Sequence, residues 1–334
     1  MNLMKNDTIM MVHGSGGDAT NTLIHEIFAD AFSNDVLNRM EDAAVVPGSE
    51  RIAVTTDSFV VTPLQFRGGD IGRLAVCGTV NDLLMRGAVP KYLTCGFILE
   101  EGLSLDQLQM FVRSMADTAA EAGVQIIAGD TKVIEGAGGC YINTAGVGFL
   151  PENADISALN AAAGDAILVS GTMGDHHAAL LSERMSIQTE IRSDAAPLTE
   201  MVSRLTASGI ALHTLRDVTR GGLATVLKEL ALASRKTFVI RDNAVPVSAE
   251  VRGFCGLLGL DPLYMGNEGK LVAVVPASDA DRALEIMQAS RYGKDAALIG
   301  YISEEEPGEL YAETEIGGRR VLDILQGEGL PRIC

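Results

Sequence analysis

The sequence predicts an α+β (α/β mixed) protein of two domains, and three observations carry that prediction. The chain has 334 residues, which at about 150 residues per domain is room for two. Runs rich in β-branched residues mingle with runs of helical period in both halves. The clearest change of composition, Pro151-Glu152-Asn153-Ala154-Asp155, falls near the middle. The expected division is an N-terminal domain over 1–152, a second domain over 153–325 and a tail over 326–334. That tail holds two glycines, a proline and no period, so it is expected to be mobile.

The run Ile52-Ala53-Val54-Thr55-Thr56 reads as a strand that delivers Asp57 at its end, and Val124 to Ala128 followed by Gly129-Asp130 repeats the design. Between them, Ser104 and Gln107 have the spacing of a capping box. Leu105, Leu108, Val112, Met115 and Ala119 then trace one helical face until Gly123 stops it. Tyr141 to Leu150 is a further strand. The second half offers a strand from Ala166 to Ser170, a helix after Gly221-Gly222 and a strand from Leu271 to Val275. A helix from about Asp279 to Gln288 and short strands near Ala297 and Leu310 complete it.

Composition excludes several classes. A net charge of −18 argues against a nucleic-acid partner, because phosphate neutralisation needs Lys and Arg. Hydrophobic residues at 47% exclude disorder of the whole chain. No apolar run approaches the roughly 20 residues that cross a bilayer, and the first residues lack the order of a signal peptide, so a cytoplasmic, non-membrane protein is expected. The cysteines Cys77, Cys95, Cys140, Cys255 and Cys334 are odd in number and form no CxxC pair, which points away from a disulfide framework or zinc knuckle. Four read as buried thiols, and the fifth lies in the tail.

Glycine, 36 residues, often paired beside Asp, Thr or Asn, lets backbone approach a ligand closely. Asp57, Asp82, Asp130 and Asp217 are each expected in a glycine-rich or polar turn, and hard oxygen donors spread over several loops suit Mg²⁺ bound to a nucleoside triphosphate. One such Asp alone is explained by turn formation; four shift the balance toward a metal–phosphate site. Thr219-Arg220-Gly221-Gly222 precedes a helix, so its amides and a forked guanidinium can meet an anion. Gly68-Gly69-Asp70-Ile71-Gly72 is a second candidate phosphate turn, and His13-Gly14-Ser15-Gly16-Gly17 is a third segment able to fold over phosphates or to be a flexible arm. Lys132 and Glu268 are candidates for offsetting a developing oxyanion and removing a proton. The adjacent His176 and His177 diverge on regular structure, make a poor metal pair and read as a loop. Cys334 carries a thiol that a tail could bring to another site.

Taken together, these stretches resemble the HypE family of hydrogenase maturation factors, within the AIR synthetase (PurM-like) ATP-binding superfamily. The matching segments are His13 to Gly17, Thr56 to Leu64, Gly68 to Gly72, Gly78 to Leu83, Gly129 to Val133, Thr219 to Gly222, Asn267 to Lys270 and Pro331-Arg332-Ile333-Cys334. The acids and glycines are shared across the superfamily, whereas the Pro-Arg-Ile-Cys ending is specific to HypE. Arg67 stands where that family often has Pro.

The resemblance implies a PurM-like two-domain architecture, a homodimer whose N-terminal sheets pair, and ATP with Mg²⁺ as cofactors. It implies that a carbamoyltransferase, HypF, loads the Cys334 thiol, and that ATP-driven dehydration leaves a thiocyanate there for a HypC–HypD iron scaffold. Asp57, Asp82, Asp130 and Asp217 would then hold metal and triphosphate, with Asn81, Thr131, Arg220, Gly68 and Gly69 completing the nucleotide site. Lys132 would offset charge at the carbamoyl oxygen, and Glu268 would act as base. Selenophosphate synthetase, aminoimidazole ribonucleotide synthetase and thiamine-phosphate kinase are the alternatives within the superfamily. Outside it stands a non-catalytic one-carbon carrier.

Overall fold

In the computed structural model, which describes residues 8–325, two sheets organise the chain. The described chain has a 3-10 turn at Met11–Gly14 and helix α1 at Asp18–Leu23, with His13 to Gly17 at and between them. Strand β1 follows at Ile52–Phe59, then a two-stranded ribbon of β2 (Gln65–Phe66) and β3 (Gly69–Asp70). Next come helix α2 (Ile71–Met85), strand β4 (Val89–Glu100), helix α3 (Leu105–Ala122) and strands β5 (Gln125–Ile134) and β6 (Cys140–Phe149). The first sheet has the order β1-β6-β4-β5, parallel between β4 and β5 and otherwise antiparallel.

Helices α2 and α3 cover one face of that sheet. Residues alternate along β1, with Ile52 and Val54 exposed and Phe59 buried, which is the period-2 pattern of a sheet covered on one side. The uncovered side carries Ile52, Val54 and Ile98, each more than two-fifths exposed. Helix α2 is buried nearly all round because it lies between this sheet and the second domain, touching β1 and β6 on one side and β8 and α5 on the other.

The second half starts with β7 (Asp165–Val169), α4 (Asp175–Arg184) and α5 (Thr199–Ala207). It continues with β8 (Thr214–Asp217), α6 (Gly222–Ser234), β9 (Thr237–Arg241) and α7 (Ala249–Leu258). The remaining elements are β10 (Leu271–Pro276), α8 (Ala280–Gln288), β11 (Ala297–Ser303), β12 (Leu310–Glu313) and β13 (Arg319–Leu322). Its sheet runs β13-β12-β9-β11-β7-β10-β8, with one parallel pair, β12 and β9. Both faces are covered: Ala166, Leu168, Leu271, Ala273 and Val275 join one core with α5 and α8, while Ile167, Val169, Val272 and Val274 join another with α6. The first of these cores continues into α2 and α3, so a single apolar interior links the two sheets.

Four local expectations need correction. Ser104 does precede α3, but its side chain makes no capping bond, so the capping box with Gln107 is not formed. His176 and His177 are buried in α4 instead of forming a loop; His176 Nδ1 lies 2.7 Å from Ser193 Oγ, and its ring meets Phe66 edge-on. Asp57 and Asp130 lie within strands β1 and β5, and Asp82 lies in the last turn of α2. Only Asp217, last residue of β8, ends a strand as the turn reading required. Cys334 and the tail lie outside the described residues.

Candidate active site

The strand β1 and helix α2 bring two acids together through hydroxyl contacts. Thr79 Oγ1 donates to Asp57 Oδ2 at 2.9 Å, and Thr55 Oγ1 donates to Asp82 Oδ2 at 2.8 Å, so each element steadies the carboxylate of the other. From the second domain, Asp217 at the end of β8 and Glu268 just before β10 face the same space. These four acids and Arg220 line one cleft of about 670 Å³ between the domains. The loops that carry the last two acids are tied together, since Asn267 N donates to Val218 O and Val218 N to Lys270 O.

The acids oppose one another. Burial, then the charge of Asp82, pushes the Asp217 carboxyl up to about 6. Burial, then Asp194 and Asp217, raises Glu268 well above the ordinary carboxyl range, and Asp57 rises for the same kinds of reason. Glu268 is buried, only 4% exposed, and still opens into the cleft. A carboxyl so placed takes up a proton more readily than one in water.

Thr219 and Arg220, which line the cleft, stand just before α6, a helix of 13 residues, so the positive end of its dipole lies beside that lining. Gly221 and Gly222 form the helix start with φ of 77° and 68°. A side chain at Gly222 would also collide with Leu263 O, its Cβ coming within 2.5 Å. The described chain ends nearby: Leu325 N donates to Thr225 Oγ1 in the first turn of α6, and Asp323 N to Tyr264 Oη.

The other predicted residues lie elsewhere. Asp130, Thr131 and Lys132 line a second cavity of about 400 Å³, together with Gly14, Gly16 and the side chains of Phe28, Phe32 and Phe97. Lys132 Nζ donates to Asp130 Oδ1 at 2.7 Å in an exposed ion pair that holds the Asp130 carboxyl below its ordinary value. Three strand spacings separate β5 from β1, which puts Asp130 about 14 Å from Asp57 across the sheet. Gly68 and Gly69 also lie outside the acidic cleft: Gly68 packs on Ser193, whose N–H bonds Arg67 O. Asn81 turns its amide into the second domain, donating to Ala196 O and Glu268 O and accepting from Leu198 N. Asn81 thus bridges the two domains and does not line the acidic cleft.

Among the described residues no three or more His, Cys, Asp or Glu form a metal-binding group. The donor chemistry of Asp57, Asp82 and Asp217, two of them already holding a hydroxyl, fits a hard cation that keeps its waters and not a closed protein cage. Asp130 is not part of that set within one chain. Thr55, Thr79, Asp194 and Lys270 adjoin these acids, and sequence reasoning assigns them no role because each contact is distant in sequence.

Comparison with known proteins fits the layout of two mixed domains. Residues 40–150 match the AIR synthase related protein N-terminal domain, and residues 162–313 match the corresponding C-terminal domain. The class is therefore that of AIR synthase related proteins, two mixed α/β domains in one chain. A carbamoyl dehydratase HypE from Cupriavidus necator is 49% identical over 99% of this chain and 96% of its own length. A crystal structure of the hydrogenase maturation protein HypE in complex with ATP superposes with a TM-score of 0.94 at 45% identity, covering 98% of this chain and 100% of that one. A HypE–HypF complex gives 0.80 at 48% identity, covering 91% and 99%. The chain belongs to the HypE family of carbamoyl dehydratases and is an enzyme of hydrogenase maturation.

Proposed function

We propose that this chain converts a carbamoyl group on the Cys334 thiol into a thiocyanate at the expense of ATP, for delivery as the cyanide ligands of a [NiFe]-hydrogenase iron. The observation that carries the reading is the meeting, in one cleft, of a buried carboxyl at Glu268, three acids suited to a hydrated cation and the Arg220 helix start. The anchorage of Leu325 beside that helix start supports it further: Cys334 lies nine positions beyond Leu325, a reach of up to about 30 Å. Cys77, Cys95, Cys140 and Cys255 are buried, and burial pushes every one of their thiols up, so they stay in the unreactive thiol form.

Amide oxygen is a poor leaving group. In the proposed reaction the carbamoyl oxygen attacks the γ-phosphorus of ATP, ADP departs, and one N–H proton is lost. Loss of phosphate from carbon with removal of the second N–H proton then leaves S–C≡N. Glu268 takes a proton from nitrogen, Arg220 and the α6 amides steady phosphoryl oxygens, and the nucleotide and the tail, by filling the interdomain cleft, keep water from the phosphorylated intermediate. Mg²⁺, held with its waters near Asp57, Asp82 and Asp217, would supply charge neutralisation for the triphosphate.

The open face of the first sheet supports a homodimer formed through it. A second copy there is also how Asp130, Thr131 and Lys132, remote from Glu268 within one chain, would join a nucleotide site. A HypF-type carbamoyltransferase would load the thiol and a HypC–HypD scaffold receive the product, in the cytoplasm. The domain division at 1–152 and 153–325, with the tail 326–334 delivering Cys334, belongs to the same proposal. Intact-mass measurement tests it: carbamoylated protein given Mg-ATP is expected to lose the mass of one water, and Cys334→Ala to take no carbamoyl group. Retention of the carbamoyl mass after ATP treatment would leave a carrier, not a dehydratase.

A further inference from the structure

The peptide of Glu268 is gripped on both sides. Its N–H donates to Asp194 Oδ1 at 2.9 Å, and its C=O accepts from Asn81 Nδ2 at 3.4 Å. Asn81 comes from α2 of the first domain, whereas Asp194 comes from the irregular segment between α4 and α5 of the second. Asn81 holds that segment as well, through Ala196 O and Leu198 N.

Three further observations make this more than an incidental pair of bonds. The Asp194 side chain is buried, 4% exposed, and its Oδ2 has no hydrogen-bond partner but lies 3.7 Å from Lys270 Nζ. A buried carboxylate with one oxygen held by a peptide and the other facing an ammonium is fixed in rotation. Gly269 permits the contact, since a Cβ there would fall 2.0 Å from Asp194 O. The neighbouring Asn267 is fully buried and accepts from Gly174 N at 2.8 Å, so the loop is held on its other flank too.

We propose that Asn81 and Asp194 are positioning residues for Glu268, aiming its carboxyl into the cleft by clamping its peptide across the domain junction. Neither touches the reacting atoms. The proposal rests on Glu268 being the base, and it ties the placing of that base to the closure of one domain on the other. The charge of Asp194 adds to the effect, as it helps keep the Glu268 carboxyl high.

Single-turnover dehydration of carbamoylated full-length protein, followed by intact mass with ATP affinity and thermal stability measured alongside, tests the clamp. Asn81→Ala and Asp194→Ala are each expected to slow dehydration about 10- to 100-fold with ATP affinity within about twofold of wild type. Asp194→Asn, whose amide oxygen can still accept from the Glu268 N–H, is expected to keep a rate at least about fivefold above Asp194→Ala. In a Glu268→Gln background neither alanine change should slow the residual rate further, because both act through Glu268. Additional loss in that background, or wild-type rates in both alanine variants, overturns the clamp while leaving the base assignment intact. An unimpaired Glu268→Gln overturns the base assignment and the clamp with it.

Discussion

The acids of the interdomain cleft and the acid of strand β5 show one residue type in two opposite conditions. Asp217 and Glu268 are buried among other carboxyls and are driven toward protonation, whereas Asp130 is exposed, paired with Lys132 and held ionised. Stability alone favours the second arrangement. Acids that outnumber the two guanidinium groups beside them, Arg216 and Arg220, cost free energy in the free protein, so the arrangement points to a ligand that brings positive charge or takes up a proton. The ion pair on β5 can be given up to a ligand cheaply, since exposed pairs are worth about 0–1 kcal/mol.

Substitutions test this contrast. The largest effect is expected for Glu268→Gln, which should lower the dehydration rate by about 10²–10⁴-fold while nucleotide binding, read by calorimetry, stays near wild type. Loss of binding instead would place Glu268 in the nucleotide site. Next is Val54→Asp on the open sheet face, where Val54 is 64% exposed; light scattering is expected to show twice the chain mass for wild type and the single chain mass for the variant.

A smaller effect concerns pH. A carboxyl raised to about 6 stabilises the fold while protonated and loses that contribution as pH rises through 6. Forcing Asp217 to ionise costs about 3 kcal/mol. Asp217→Asn should therefore raise the melting temperature of the ligand-free protein by a few degrees at pH 8 and leave it unchanged near pH 4. The smallest effect is expected for Lys132→Met, which should change stability by no more than about 1 kcal/mol at any pH between 5 and 8. A larger loss in thermal melts would show that the β5 pair is structural.

The elements were legible where burial imposes a period. Leu271 to Val275 reads as a strand because both of its faces are buried, and Leu108, Val112, Met115 and Ala119 mark α3 because only one of its faces is. The acids were found, but their settings were misread: Asp57 and Asp130 sit inside strands because neighbouring hydrogen bonds and β-branched residues outweigh the turn preference of Asp. His176 and His177 read as a loop in the sequence because polar residues buried in a helix break the expected amphipathic pattern. The roles of Asn81 and Asp194 were hidden, since 187 and 74 residues separate them from Glu268. Local pattern does not encode partners that distant. Likewise, no local signal could show that Asp130 and Lys132 lie three strands away from Asp57.

The bond from Leu325 to Thr225 has a consequence for kinetics. A thiol confined within about 30 Å of that anchor stands at an effective concentration of about 10 mM in its own cleft, however dilute the protein. Small-molecule thiols that carry the same group would need to reach that level to compete. At concentrations where the dimer is fully formed, the reaction rate per chain should accordingly be independent of protein concentration, and the enzyme would work as a device that processes its own appendage once per loading.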